Sequence, residues 1–230
     1  MDTYDALTDN LNHRDAAVRL DTLHHLKEQI DGGSREVPRR DVVTNNHIHT
    51  KYSFSPYSPA KAAWMGYQSG LGTVGIMDHD TVAGAREFIK AGEVLAIPTT
   101  VGFEMRTDWT DTSIGDRRIN NPDQIGSAYI AAHGLPHQMI EGADAYLTCI
   151  RAARGKRNRV MTANINTITA PHGIVIDYDR DILPISYADQ GGAVTERHLL
   201  FALSLRIIDA VGKGQGLIDF LTGRLGLRLT

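Results

Sequence analysis

Within residues 42–104, three short apolar runs each end in a cluster of side chains suited to metal binding, and that repetition restricts the fold more than any other feature. Val42-Val43 leads into Asn46-His47-Ile48-His49-Thr50, Val74-Gly75-Ile76-Met77 into Asp78-His79-Asp80-Thr81, and Thr99 to Phe103 into Glu104. Between the first two, Ser58-Pro59 has the chemistry of a helix start, with Ser as N-cap and Pro at the first helical position, and Gly70 suits a stop. Residues 82–91 are again helical in composition. Strand, polar cluster, helix, strand is the rhythm of parallel α/β proteins, whose sites lie at the C-terminal ends of the strands. All three clusters are therefore expected to face one cavity.

A chain of 230 residues can bury one substantial core. Leu7, Leu11, Val18, Leu20, Leu23, Leu26 and Ile30 recur at near-helical spacing ahead of Asp31-Gly32-Gly33-Ser34. Residues 1–38 are thus expected to form an N-terminal helical extension, packed outside the main α/β domain over 39–230. The net charge of -3 argues against general coating of nucleic acid. No apolar stretch resembles a secretory signal or a transmembrane span, so no membrane partner is expected and the default location is cytoplasmic. The one cysteine, Cys149, excludes an intramolecular disulfide and is expected as a buried helical thiol.

Beyond Glu104, residues 106–124 are polar, with Gly115, Asn120, Asn121 and Pro122, and read as a loop shaping the site. Tyr129 to Gly134 reads as a further strand carrying His133 to its end. Helices are expected over 137–153 and 157–168, separated by a basic run, Arg151, Arg154, Lys156, Arg157 and Arg159, that reads as a solvated junction. Thr195 is a candidate N-cap for a helix to about residue 210. The glycines of Gly212-Lys213-Gly214-Gln215-Gly216 follow no strand, so they make no phosphate-binding fingerprint.

Imidazole and carboxylate are ligands for zinc, manganese and iron, and two histidines one residue apart on an extended backbone can hold one ion together. The candidate metal ligands are His47, His49, His79, Glu104 and His133. Glu104, as a bridging carboxylate, and His79 are also the candidate catalytic residues, since closely spaced ions sharing a water can activate it without a protein nucleophile. No nucleophile elbow is present to support serine catalysis. Arg106, Arg197 and His198 are the candidate substrate-binding residues, suited by charge or by a helix start to a phosphate. His137, His172, His13, His24 and His25 have no such setting.

The same residues resemble the polymerase and histidinol phosphatase (PHP) family, metal-dependent phosphoesterase branch. Its first motif is similar to His47-Ile48-His49-Thr50, its second to Gly75 through Thr81, its third to Gly102-Phe103-Glu104, and Thr195-Glu196-Arg197-His198 looks like a segment of that branch. The resemblance implies a distorted TIM-like (β/α)7 barrel, two or three divalent ions, and hydrolysis of a phosphate ester of a small metabolite, nucleotide or oligonucleotide. Two departures stand out. Phe54 occupies a place where many members have Asp, and no later histidine follows His198, whereas the family usually adds a late His and an Asp-x-His pair. A member incomplete at its C-terminus is the leading explanation, with replacement of those ligands from elsewhere as the other. The alternative function is a PHP-like binding or regulatory module, weak or inactive, with an incomplete metal site.

Overall fold

The computed structural model describes residues 3–121 and 124–228, so Pro122 and the terminal Leu229-Thr230 lie outside the described residues. The expected β-α-β-α-β unit is present: β1 (Thr44–Ile48), α3 (Pro59–Gln68), β2 (Thr73–His79), α4 (Ala85–Leu95) and β3 (Thr99–Asp108), preceded by α1 (Thr3–Asn10) and α2 (Ala16–Asp31). Strands β1, β2 and β3 are parallel neighbours in that order. The register sets Ile48 beside Ile76 and His79 beside Glu104, which brings the three clusters to one end of the sheet. Gly75 permits this close stacking, because a Cβ there would lie 2.3 Å from Thr100 Oγ1 and 2.8 Å from Asn46 Cα.

The sheet departs from the expected barrel in two ways. Among the described residues it has four strands and not seven, and β4 (Ser127–His133) runs antiparallel to β3. Residues 106–108, expected as loop, continue β3 and pair with Tyr129, Ala128 and Ser127. Cross-strand polar contacts support this stretch in place of apolar burial: Arg106 Nη2 donates to Tyr129 Oη at 2.6 Å and Thr107 Oγ1 to the Ala128 carbonyl at 3.1 Å. Because β4 reverses, its C-terminal residue His133 sits opposite Gly102, two pairs below Glu104.

The principal core lies between the sheet and helices α2, α3 and α4. Leu11, Leu23, Leu26 and Ile30 from the N-terminal region join Trp64, Tyr67, Phe88 and Leu95 in one cluster. Burying each such side chain is worth roughly 2 kcal/mol. Ser58 caps α3 as expected, its hydroxyl accepting from the Lys61 N–H at 3.0 Å. Arg19 on α2 is buried and paired with Glu87 on α4, while Glu87 Oε1 also accepts the Ala60 N–H at 3.0 Å. This pair ties α2, α3 and α4 together.

The two helices expected over 137–168 are one: α5 (Ile140–Thr169) runs through Gly155 without a break. Its first half buries Ile140 and Leu147 on the principal core, and its second half packs Met161 and Ile165 against Ile176, Ile182 and Leu199. Packing at both ends outweighs the weak helix propensity of one glycine, a penalty of about 1 kcal/mol. Cys149, expected buried, is exposed on α5. The remaining α-helices among the described residues are α6 (Glu196–Val211) and α7 (Gln215–Asp219). No described helix is long and apolar enough to cross a membrane.

Candidate metal centre and anion-binding cleft

A cleft of about 680 Å³ opens at the C-terminal ends of β1 and β2 and beside the second half of β3. His47, His49, His79 and Glu104 line its floor; Arg106, Tyr129, Arg154, Arg157, Glu196 and Arg197 stand on its walls. His47 is the fourth residue of β1 and His49 lies just past its end, where a break in the β1–β2 register turns both rings inward, 5.0 Å apart. His79 ends β2, and Glu104 is its registered neighbour on β3.

One carboxylate oxygen organises these rings. Glu104 Oε2 is 3.4 Å from His47 Nε2, 3.7 Å from His49 Nε2 and 3.4 Å from His79 Nδ1. Those separations exceed good hydrogen bonds. They match the ligand-to-ligand edge of a tetrahedral zinc site, about 3.3 Å for metal–ligand bonds of about 2.0 Å. Ligand atoms of His47, His49 and Glu104 all lie within 4.8 Å of one another, a group that could hold one ion. His79 reaches the same oxygen from outside that group, and its Nδ1 is buried with no hydrogen-bond partner among the described residues.

Electrostatics keep the rings in the metal-binding form. Burial first, then the neighbouring His49, Arg154 and Arg197, lowers the His79 pKa to about 3. Burial, with His47, also lowers that of His49. Both imidazoles are therefore neutral near pH 7 and present a lone pair, the state that metal coordination requires. Beneath them Asp78 is buried and accepts from the Thr50 N–H at 2.6 Å, Thr50 Oγ1 at 2.6 Å and Ser53 Oγ at 2.5 Å. Asp78 thereby fixes the turn that follows His49. Ser53 Oγ also lies 3.5 Å from His49 Nδ1, on the ring edge opposite Glu104.

The remaining residues named from sequence divide. Arg106 and Arg197 are in the cleft. His133 is exposed, its ring 6.1 Å from His47, and it stands outside the compact ligand group. His198 does not reach the cleft: it is buried, its Nδ1 accepts from the Thr195 N–H at 3.0 Å as part of the α6 capping box, and its ring packs on Phe54. That cap draws the ring inward and away from any anion. Phe54 itself adopts a left-handed conformation at φ 72° and packs its ring between His198 and Phe201, filling its position with aromatic surface.

Sequence reading missed the role of α5. Arg154 and Arg157, read as a solvated junction, face the cleft and bind Glu196: Arg154 Nη1 at 3.1 Å and Arg157 Nη1 at 2.6 Å, with Arg106 Nη2 at 3.9 Å. Three guanidinium groups thus surround one carboxylate. Arg197, alone of the four cleft arginines, is in no ion pair among the described residues, and it is exposed. The three-residue spacing of Arg151, Arg154 and Arg157, which aligns them along one side of a helix, was the available signal.

No protein-family model matches the chain, and no curated protein matches it. Among solved structures, it is similar to a protein from Bifidobacterium adolescentis provisionally described as a metal-dependent phosphoesterase, with TM-score 0.55 and 20% identity over 84% of this chain. It is also similar to an amidohydrolase from Chromobacterium violaceum solved with sulfate and without metal, with TM-score 0.52 and 16% identity over 77% of this chain. The chain spans 58% and 53% of the lengths of these two proteins. At such identities the likeness is one of fold.

Proposed function

We propose that the chain is a PHP-type, metal-dependent phosphoesterase, with its site on an incomplete TIM-like barrel. The observation that carries this reading is the convergence of three ring nitrogens on Glu104 Oε2 at tetrahedral-edge distances. The neutral imidazoles of His49 and His79, the latter with a buried Nδ1 that has no hydrogen-bond partner among the described residues, fit a divalent cation, zinc, manganese or iron, better than they fit a structural hydrogen-bond network. His47, His49 and Glu104 would hold one ion, and His79 with the same carboxylate a second. When bound, such ions supply Lewis acidity and lower the pKa of water.

The rest of the chemistry belongs to the side chains. Arg197 and Arg106 supply positive charge where a phosphoryl group would meet the cleft floor. Asp78 holds the ligand-bearing turn by three hydrogen bonds and restricts reorganisation on binding. Four arginines set against the carboxylates of Glu196 and Asp80 leave the cleft walls net positive, which favours an anionic phosphoester over a neutral amide. The substrate class is a phosphate ester of a small metabolite, a nucleotide or an oligonucleotide end.

The experiment is phosphate release from p-nitrophenyl phosphate by chelator-treated protein, before and after zinc or manganese is restored. Restored turnover that disappears in His47→Ala supports the reading. Metal uptake without turnover on any of a panel of phosphoesters would favour a binding module instead.

A further inference from the structure

Asp80 links the candidate ligands to α5. It directly follows His79 and takes the left-handed conformation at φ 53°, which is uncommon for a residue with a Cβ, although Asp tolerates it better than most, and which the contacts below hold in place. Its N–H donates to the Glu104 carbonyl at 2.8 Å, joining the backbones of two ligand-bearing strands. Its own carbonyl accepts from Arg151 Nη1 at 3.1 Å, and its Oδ2 accepts from Arg154 Nε at 2.5 Å. Arg151 and Arg154 are one helical turn apart on α5, so a single helix face grips both ends of this residue.

The Asp80–Arg154 contact is buried, with side chains 0% and 9% exposed. Asp80 Oδ1 has no hydrogen-bond partner among the described residues, which leaves Arg154 as the recorded anchor of the carboxylate. A buried ion pair of this kind adds little net stability, since desolvation offsets the attraction, whereas it fixes the geometry of the two groups it joins. The other end of the same guanidinium donates to Glu196 at 3.1 Å, at the start of the helix that carries Arg197.

We propose that Arg154 is a positioning residue of the metal centre: by holding Asp80 in its left-handed turn, it aims His79 Nδ1 at Glu104, and through Glu196 it fixes Arg197 over the same floor. The inference rests on the metal reading given above. Arg151 assists by holding the Asp80 carbonyl, while Arg159, further along α5 and bound to Asp179, plays no part.

The test is calorimetric titration of the chelator-treated full chain with zinc or manganese alone, in wild type, Arg154→Gln, Arg154→Lys, Asp80→Asn, the double variant Asp80→Asn with Arg154→Gln, and Arg159→Gln. Metal affinity should fall on the order of tenfold in Arg154→Gln, the low end for residues that orient ligands. The double variant should be no weaker than the weaker single one, and Arg159→Gln should bind as wild type. Unfolding of each metal-free variant is followed in parallel; a merely structural role would lower the melting temperature and leave the affinity of the folded protein unchanged, which would overturn the proposal. Should Arg154→Gln fail to fold, Arg154→Lys decides, because a lysine keeps the charge but lacks the fork by which Nε holds Asp80 and Nη1 holds Glu196: wild-type affinity there also overturns it. A wild-type protein that binds no metal rejects the metal reading itself, and with it this role for Arg154.

Discussion

His79 Nδ1 stands 3.4 Å from Glu104 Oε2, and the two residues are registered neighbours on β2 and β3. Since the ring is neutral near pH 7 and Nδ1 has no hydrogen-bond partner among the described residues, the contact is not a salt bridge, and in the proposed metal centre it is one ligand edge. Glu104→Gln keeps the shape of the side chain but removes its charge and replaces one ligand oxygen with an NH2 group. It should abolish measurable zinc or manganese binding by calorimetry while the circular dichroism spectrum stays that of the wild type.

Arg197 is the cleft arginine with no carboxylate to neutralise it among the described residues, so it is the group most available to a phosphate. Arg197→Ala should leave metal affinity within a few-fold of wild type and raise KM for a phosphomonoester. Losing one charged hydrogen bond costs about 1.5–3 kcal/mol, on the order of ten- to a hundredfold in kcat/KM. Steady-state kinetics on reconstituted protein check this.

His198 gives stability a defined pH dependence. Its burial lowers the folded-state pKa from 6.5 to about 4. The unfolded chain therefore binds a proton between those values that the folded one does not, and stability falls as pH drops from 6.5 towards 4. A shift of this size corresponds to at most about 3 kcal/mol. Urea unfolding between pH 7 and pH 4 should show part of that loss disappearing in His198→Gln, whose amide can also cap the Thr195 N–H.

The buried Arg19–Glu87 pair offers a stability test remote from the cleft. Glu87→Gln leaves the guanidinium buried without its counter-charge and should destabilise the fold by about 3–5 kcal/mol. Metal affinity in the folded protein should not change. Chemical denaturation together with metal titration separates the two effects.

Strand β2 was readable because its buried apolar run, Val74 to Met77, leads straight to Asp78 and His79, whereas β1, exposed over Thr44 to His47, was readable from the alternation of His47 and His49. Ser58 and Thr195 were readable as caps for the same local reason. Strand β4 was readable near Tyr129 to His133, but its antiparallel pairing was not, because residues 106–108 are polar and owe their extended form to partners about twenty residues away, such as Tyr129 for Arg106. Arg154 was misjudged because its partners, Asp80 and Glu196, are distant in sequence. His198 carried a ligand-like residue type, yet its position three residues after Thr195 committed it to a cap. Spacing alone does not distinguish those uses.

The most direct test of the metal centre is anomalous diffraction from crystals of the protein soaked in zinc or manganese. An anomalous peak is expected within about 2.0–2.2 Å of Glu104 Oε2 and the Nε2 atoms of His47 and His49, with a second, where two ions bind, beside His79 Nδ1. Soaked crystals with no peak on this floor, or with peaks confined to surface histidines such as His25, would contradict the account.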